Sequence, residues 1–325
     1  MYKKHKVAAV IPAYKEEHQI HKVITTMPDF IDAIVIIDDC SPDNTSKVVE
    51  SFMDEYPNIV LLKHEVNQGV GGAIATGYKW ARDNEMDAAV VMAGDGQMDP
   101  KELPYLLEPI VNDETDYSKA NRLIAGDSFN KIPKIRWIGN SALSFLTKIA
   151  SGYWHIADSQ TGYTVANREV LHTLEWDNMF KRYGQPNDVL VKLNVYDFRV
   201  MDIPQEPVYD VGEVSGINIK KAIFSIGWLI IKLFFWRLKE KYVVRDFHPL
   251  VLFYMMSFFF FLINIFLGVR MITSFFTDGF LPENTFIAWL FTFGFSLQSA
   301  FFAMWMDMDY TSKKSKSHHD KHIKE

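Results

Sequence analysis

The first third of the chain alternates short apolar runs with longer segments in which apolar residues recur every three or four positions. Four runs are short and apolar enough for buried strands, at residues 6–11, 33–37, 58–62 and 88–92. Four segments have the apolar spacing of helices, at residues 17–27, 43–55, 70–82 and 100–111. Strands that alternate with helices predict parallel βαβ units in an open sheet covered on both faces.

The last third of the chain has a different pattern. Residues 250–269 and 286–306 contain no charged side chain. At about 1.5 Å of rise per residue, each helix would extend about 30 Å, the thickness of the hydrocarbon core of a bilayer. We therefore predict two membrane-spanning helices. Two buried helices of a soluble protein are the disfavoured alternative, because such helices seldom lack charge over this length.

Residues 222–236 are also apolar, but Lys232 interrupts them and basic residues continue to Arg245. This pattern favours an amphipathic helix in the membrane interface, with a buried core helix as the alternative. The predicted organisation has four parts: an α/β domain at 1–215, an interfacial region at 216–246, a transmembrane hairpin at 247–310 and a polar tail at 311–325.

Charge and cysteine content narrow the setting. The formal net charge of −6, without a Lys/Arg stripe, argues against nucleic-acid binding. Cys40 is the only cysteine, so no disulfide can form within the chain and a reducing compartment is favoured. Basic residues flank the two spans, whereas residues 273–285 between them contain none. The positive-inside rule therefore predicts a cell-membrane protein with both termini in the cytoplasm.

Polar and glycine residues follow the predicted strands at their carboxyl ends, where open parallel sheets bind ligands. In chain order, the candidate residues are Pro12, Ala13, Tyr14, Glu16, Asp38, Asp39, Gly69, Gly71, Gly94, Asp95 and Gln97. Carboxylates after two separate strands, with a glycine-rich turn between them, favour a binding site over a set of helix caps.

These motifs resemble those of the family-2 inverting glycosyltransferases, whose GT-A fold has a Rossmann-like, mostly parallel sheet. The resemblance covers roughly residues 6–211, and the two apolar spans are similar to the branch that makes dolichyl- or undecaprenyl-phosphate sugars. It implies that the acidic pair Asp38 and Asp39 binds the nucleotide. It also implies that the glycine-rich segment, together with the residues after the first strand and Gly94, lines the nucleotide-sugar site.

The resemblance also implies a metal ion. Asp95 falls on the second aspartate of the family's DxD motif and Gln97 on the glutamine that follows, so Mg²⁺ or Mn²⁺ is expected beside the donor diphosphate. Ala93 stands where the first aspartate of the motif belongs. Asp99 is a possible substitute ligand, but a helix cap is its favoured role.

The middle of the chain supplies cations for the implied acceptor. Arg122 follows an expected strand, and Arg136, with Lys134 beside it, precedes a predicted helix at residues 138–150. A guanidinium group can bind two phosphate oxygens in a bidentate manner, so the two arginines are expected to bind the lipid phosphate.

Two further segments match the branch. Asp158, Gln160, Thr161 and Gly162 are expected near the sugar and acceptor, and Asp188 opens a helix predicted at residues 189–194. An N-cap is the alternative role for Asp188. The predicted catalytic residues are thus Asp95, Gln97, Arg122, Arg136 and Asp188, with Asp95 and Gln97 as metal ligands.

The implied reaction is the transfer of a hexose or N-acetylhexosamine from a nucleotide sugar to a polyprenyl phosphate, with inversion, at the cytoplasmic face of the membrane. A UDP-sugar is favoured over GDP-mannose, and a homo-oligomer is left open. No protein base is needed, because a phosphate monoester with a second pKa of about 6 is mostly dianionic at pH 7. The alternatives are a tethered glycosyltransferase with another acceptor, a processive polysaccharide synthase and an inactive membrane adaptor.

Overall fold

The computed structural model of the chain describes residues 1–123, 134–205 and 219–322, without the side chains of 134–136, 219–224 and 315–322. The chain separates into two compact units. We call the first, built mainly from Met1–Phe234, the α/β unit, and the second, Phe235–Lys314, the helical unit.

The α/β unit contains a sheet whose strands are β1 Val7–Ala13, β2 Ala33–Asp38, β3 Ile59–Lys63, β4 Ala88–Val91, β5 Tyr117–Asn121, β6 Thr164–Asn167 and β7 Val200–Pro204. Their order across the sheet is β3-β2-β1-β4-β6-β5-β7. Strands β1 to β4 pair with one another in parallel, and β5 is parallel to β7. Only β6 runs antiparallel, to β4 and to β5. The predicted mostly parallel α/β fold is confirmed.

The helices are α1 Ile20–Thr25, α2 Thr45–Phe52, α3 Val70–Asp83, α4 Leu103–Val111, α5 Lys134–Ser151, α6 Arg168–Thr173, α7 Gln185–Val195 and α8 Ile219–Lys239. A π-helical turn, Glu240–Arg245, follows α8 and precedes α9 Leu250–Asp278 and α10 Glu283–His322. The predicted helix at 17–27 is shorter than expected. It ends before Thr26, whose hydroxyl bonds the Lys22 carbonyl, and Pro28 follows.

Two apolar clusters lie on opposite faces of the sheet. Val10 and Val35 belong to the cluster that includes α3, whereas Ile11 and Ile36 belong to the cluster that includes α1 and α4. Successive strand residues point to opposite faces, so a strand covered on both sides is apolar at every position. This burial explains why β1, β2 and β4 were continuous apolar runs in the sequence, whereas the edge strand β3 is only half-buried.

Helix α8 combines the two roles that its sequence allowed. Ile226, Ile230 and Leu233 are buried against Ala150 and Val191, which lie on α5 and α7. Trp228 is 60% exposed on another face of the same helix. One face is therefore part of a core, and another presents apolar surface, as an interfacial helix requires.

The helical unit contains two helices that are long and apolar enough to cross a membrane, α9 and the Glu283–Lys314 part of α10. Only 11% and 22% of their apolar windows are buried. Their exposed side chains are large and apolar, including Phe266, Phe276 and Phe291. Helix α10 continues to His322, beyond the predicted span, so the segment predicted as a polar tail is helical as far as the structure describes it.

Candidate active site

The carboxyl ends of β1 to β4 meet at one edge of the sheet, because these parallel strands are neighbours. The Asp39 N–H donates to the Ala13 carbonyl at 2.9 Å, which joins the ends of β2 and β1. A Cβ atom added to Gly94 would lie 3.3 Å from the Pro12 carbonyl oxygen and 3.4 Å from Glu16 Cγ. The fold therefore brings together the residues predicted after the first, second and fourth strands.

Asp39 organises the start of the glycine-rich segment. Its side chain is only 4% exposed, and Oδ1 accepts from the Gln68 N–H at 2.8 Å while Oδ2 accepts from the Gly69 N–H at 2.7 Å. His64 Nδ1 lies 2.7 Å from the same Oδ1, and His64 Nε2 lies 2.9 Å from Thr76 Oγ1. Asp39 is thus held in one orientation, and its predicted contact with the nucleotide would be made from this fixed position.

His64 was missed by the sequence reasoning. The one feature of the sequence that could have indicated it is its position directly after β3, which ends at Lys63. The other three parallel strands are also followed by candidate residues, so a polar residue at this position was a candidate by the same rule. Its role became visible only through contacts with residues from two other segments of the chain.

Asp38, the other member of the acidic pair, is also buried. Its Oδ1 accepts from the Ser41 N–H at 2.9 Å, and its Oδ2 accepts from the Ser46 hydroxyl. Asp38 therefore stabilises the turn between β2 and α2. Exposed Cys40 lies in this turn with a φ of +60°, a left-handed conformation that is uncommon for a residue with a side chain.

The glycines of the glycine-rich segment lie close to the backbone of residues 180–181. Gly69 has a φ of +84°, and a Cβ atom there would lie 2.5 Å from the Lys181 carbonyl oxygen. At Gly71 it would lie 2.2 Å from the Phe180 carbonyl oxygen. The N–H groups of Gly71 and Gly72 donate to the Lys181 carbonyl at 3.0 and 3.2 Å. In this structure the glycines have no side chains that would clash with the backbone of residues 180–181, so this backbone can lie against them. Their contact with a nucleotide sugar stays a prediction.

Asp188 holds that backbone segment in place. Its Oδ2 accepts from the Phe180 N–H at 2.7 Å and from Lys192 Nζ at 3.1 Å. Burial raises the pKa of Asp188 despite the nearby ammonium group. Helix α7 begins at Gln185 with Gly184 at the N-cap position, so the N-cap role for Asp188 is wrong. Pro186 in the first turn explains the earlier start.

The segment after β4 carries the predicted metal ligands. Asp95 Oδ1 accepts from the Gln97 N–H at 3.0 Å, so the two residues form a compact turn. The side-chain nitrogen of Gln97 is buried and has no hydrogen-bond partner among the described residues. Asp99 Oδ1 accepts from the Lys101 N–H at 2.9 Å, so its favoured role as a cap is confirmed.

The described residues contain no group of three or more His, Cys, Asp and Glu side chains that could hold a metal by themselves. Mg²⁺ beside a nucleotide usually takes one or two carboxylates and completes its shell with phosphate oxygens and water. Asp95 fits an ion of this kind through its carboxylate and Gln97 through its amide oxygen, and the remaining ligands would come with the donor. The unbonded nitrogen of Gln97 is a hydrogen-bond donor and does not bind a cation.

The segment that follows α5 reaches the same edge. The Tyr163 hydroxyl donates to the Asp99 carbonyl at 3.0 Å, and a Cβ atom on Gly162 would lie 3.5 Å from Met98 Cε. Thr161 Oγ1 accepts from the Tyr163 N–H at 3.4 Å. The predicted sugar segment and the predicted metal segment are therefore neighbours in space.

Arg122 and Asp158 form a bidentate ion pair. Arg122 Nε lies 2.8 Å from Asp158 Oδ2, and a second guanidinium nitrogen lies 3.3 Å from Oδ1. The Asp158 side chain is 0% exposed and that of Arg122 is 30% exposed. Asp158 therefore acts inside the protein, where it sets the direction of the guanidinium group.

A second cation lies below this pair. Lys119, on β5, is fully buried, donates to the Asp158 carbonyl oxygen and lies 3.7 Å from Asp202 Oδ1. Burial lowers the pKa of Lys119. Burial alone would raise the pKa of Asp158, but the charges of Arg122 and Lys119 outweigh it and hold that pKa below its ordinary value.

Gln160 connects this network to α7. Its N–H donates to Asp158 Oδ1 at 3.0 Å, and its amide nitrogen donates to Asn187 Oδ1 at 2.8 Å. Lys134 begins α5, but its side chain and that of Arg136 lie outside the described residues, so their contact with a lipid phosphate stays a prediction.

Comparison with known proteins shows the family to which the chain belongs. The sequence profile of glycosyl transferase family 2 matches residues 8–175. The chain is 32% identical over 224 residues to the UDP-N-acetylglucosamine–dolichyl-phosphate N-acetylglucosaminyltransferase of Methanococcus voltae, covering 65% of this chain and 89% of the relative. It is 26% identical to the undecaprenyl-phosphate mannosyltransferase of Micrococcus luteus, covering 68% of this chain and 92% of the relative.

Among solved structures, the chain resembles glucosyl-3-phosphoglycerate synthase from Mycobacterium tuberculosis in complex with Mn²⁺, UDP and phosphoglyceric acid. The TM-score is 0.53 at 16% identity, over 72% of this chain and 79% of that one. At this level of identity the likeness concerns the fold alone.

Proposed function

The chain is a member of glycosyl transferase family 2, and on that premise we propose that it transfers a sugar from a nucleotide sugar to a polyprenyl phosphate. One observation carries the proposal. Relatives that align over about two thirds of the chain are named for transfer to dolichyl or undecaprenyl phosphate. The helical unit adds two helices apolar enough to hold the chain at the membrane, where such an acceptor resides.

The proposed donor is a UDP-sugar that carries a hexose or an N-acetylhexosamine. The relative at 32% identity is named for UDP-N-acetylglucosamine, which supports the UDP-sugar over GDP-mannose. Asp38 and Asp39 are buried at the end of β2 and oriented by neighbouring groups. A carboxylate in a fixed orientation can accept from a base N–H or a ribose hydroxyl with a smaller entropic cost at binding than a mobile one.

The proposed reaction is a direct displacement. An oxygen of the acceptor phosphate forms a bond to the anomeric carbon as the bond from that carbon to the donor diphosphate breaks, so the configuration inverts. The dianionic acceptor brings its own electron pair and no proton has to be removed. Arg122, oriented by Asp158, would hold the acceptor phosphate in line with the breaking bond.

Asp95 and Gln97 would hold Mg²⁺ or Mn²⁺, which supplies charge neutralisation for the departing diphosphate when bound. The compact Asp95–Gln97 turn, which carries a carboxylate and an amide side chain on one short segment after β4, supports this assignment.

We also propose that both termini and the α/β unit are cytoplasmic. Basic residues outside the two spans, with none at 273–285, support this orientation. A membrane-impermeant thiol reagent should label a Phe280→Cys, Cys40→Ser variant in intact cells. It should label the native Cys40 only after lysis, and the reverse pattern would invert the proposed topology.

The decisive experiment incubates membranes that contain the full chain with labelled UDP- and GDP-sugars and a polyprenyl phosphate. We expect a lipid-extractable product from a UDP-sugar, which disappears when EDTA removes divalent ions. The Asp95→Asn variant should lower turnover on the order of 10²- to 10³-fold, because a charge that stabilises the transition state is lost. It should remain in the membrane fraction.

As a matched control, Asp99→Asn changes a neighbouring carboxylate that caps a turn, and it should retain most of the turnover. If no donor gives a lipid product with or without added metal, the proposed reaction is wrong. A product that forms equally well in EDTA would remove only the metal from the proposal.

A further inference from the structure

Polar side chains in the two apolar helices of the helical unit mostly turn inward and find partners. Asn264 Nδ2 donates to the Trp289 carbonyl at 2.8 Å, and Ser296 Oγ donates to the Ser257 carbonyl at 2.9 Å. Thr292 Oγ1 donates to the Ala288 carbonyl at 2.9 Å. All three side chains are buried, and the bonds of Asn264 and Ser296 join α9 to α10.

Gln298 departs from this pattern. It lies on α10 but is exposed, on another face of the helix than Ser296, Ser299 and Ala303, which are buried. Within the described ranges, no side chain or backbone group forms a hydrogen bond with its amide. Gln298 follows Phe286 by twelve residues and precedes Met306 by eight, so it would lie about 18 Å and about 12 Å from the ends of the apolar span.

The surface around Gln298 is a groove of about 400 Å³, lined by Gly294, Leu297, Gln298, Phe301, Phe302 and Trp305. Gly294 lies one helical turn before Gln298, and a Cβ atom there would meet no other atom within 4 Å. The groove therefore combines an amide with an open glycine surface on the outward face of an apolar helix.

In hydrocarbon, an amide without a partner is unfavourable because lipid tails offer neither donors nor acceptors. We infer that this groove binds α10 of a second copy of the chain, with the two Gln298 amides hydrogen-bonded to each other across a two-fold axis. An amide carries an acceptor and two donors, so it is complementary to itself under two-fold symmetry. Gly294 would allow the two helix backbones to approach closely.

The lining residues distinguish this occupant from a lipid. None of them is charged, so a phosphate headgroup would meet no cation in the groove. A prenyl or acyl tail would fill the apolar part but leave the amide without a partner. A polar group presented at the same depth would satisfy Gln298, and a second copy presents one by symmetry.

The test reconstitutes full-length chains, labelled with a fluorescent donor or acceptor, in liposomes at a series of protein-to-lipid ratios. We expect energy transfer that saturates as a dimer. Gln298→Leu should raise the dissociation constant about tenfold, as expected for the loss of paired interhelical hydrogen bonds. Gln298→Asn, which keeps the amide, should retain most of the association, and Phe266→Leu, an exposed position on α9, should leave it unchanged.

An unchanged dissociation constant for Gln298→Leu overturns the inference, as does a wild-type chain that remains monomeric at every ratio. A variant that associates normally but loses turnover with the lipid acceptor also overturns it, and assigns the groove to the lipid. The inference rests on the proposed membrane anchoring, which extraction in alkaline carbonate checks separately. Dimers of a chain without transferase activity would refute the proposed reaction and leave this inference standing.

Discussion

The two units of this protein bury polar side chains in opposite surroundings. In the α/β unit, two apolar clusters cover the faces of the sheet, and the buried carboxylates Asp38 and Asp39 lie where β2 ends. In the helical unit, large apolar side chains cover the outside, and the fully buried pair Arg237 and Asp307 lies within. The buried carboxylates Asp38 and Asp39 thus belong to the candidate site in the first unit, whereas in the second the informative polar residue is the outward one, Gln298.

The buried pair of the helical unit is well bonded. Arg237 donates from one nitrogen to Asp307 Oδ2 at 2.6 Å and from another to Oδ1 at 3.0 Å. The Tyr242 hydroxyl, carried by the π-helical turn, also donates to Asp307. The Arg122–Asp158 pair of the α/β unit has the same bidentate form as the Arg237–Asp307 pair, but the Arg122 side chain is partly exposed to solvent. The comparison predicts that the two pairs respond differently when the carboxylate is lost.

The largest effect is expected from Asp307→Asn, which removes the carboxylate charge paired with the fully buried guanidinium group of Arg237. It should lower the free energy of unfolding by about 3–5 kcal/mol, measured by equilibrium denaturation in detergent. Asp158→Asn should cost less, because Arg122 can be hydrated. As a control, the double variant Arg237→Met, Asp307→Leu should recover most of the stability. If Asp307→Asn and Asp158→Asn lowered the free energy of unfolding equally, the proposed difference between the two ion pairs would be wrong.

The next largest effect concerns Asp39, the buried carboxylate at the candidate nucleotide site. His64→Phe removes the ring that holds Asp39 Oδ1 and should weaken UDP binding about tenfold, measured by titration calorimetry. KM for the donor should rise more than kcat falls. His64→Asn should restore part of the affinity, because its amide can replace Nδ1. His155→Phe, a matched change at a histidine that bonds the Val200 carbonyl, should leave UDP affinity unchanged.

The smallest effect is a pH dependence of opposite sign for two buried carboxylates of the α/β unit. The pKa of Asp158 is lowered, so its stabilising contribution is complete above the ordinary aspartate value of about 4 and is lost as pH falls through the lowered pKa. The pKa of Asp188 is raised by burial, so its ionised form opposes folding and stability is regained as pH falls through the raised pKa.

Thermal denaturation from pH 7 to pH 3 checks both signs. On acidification, the advantage of the wild type over Asp158→Asn should shrink, whereas its stability relative to Asp188→Asn should grow. If the stability of both variants relative to the wild type changed with pH in the same direction, the opposite pKa shifts assigned to Asp158 and Asp188 would be wrong.

The parallel half of the sheet could be predicted because β1, β2 and β4 are buried on both faces and appear as continuous apolar runs. The edge strand β3 is only half-buried, but it too begins with a run of apolar residues. Strand β5 was expected only from its position before Arg122, since Ser118, Lys119 and Asn121 are buried polar residues that break such a run. Strand β6 was not predicted. Its antiparallel place between β4 and β5 depends on pairing across the fold.

Much of the candidate site was found from one rule, that ligands bind beyond the carboxyl ends of parallel strands. The rule identified Asp39 and Gly69, but neither His64 nor the 180–181 backbone. The Lys181 carbonyl meets Gly71 and Gly72 from more than a hundred positions away along the chain. No local pattern in the sequence indicates that approach.

The sequence by itself determined the alternation of strands and helices, the two apolar spans and the strand ends at which polar residues gather. These features follow from the spacing of apolar residues, which is set by neighbours along the chain. Only the tertiary structure decided that Asp39 is held by His64, that Asp158 turns inward to Arg122 and that Gln298 turns outward. The physical reason is that a polar side chain finds its partner by distance in space, and that distance depends on packing between segments far apart in the chain.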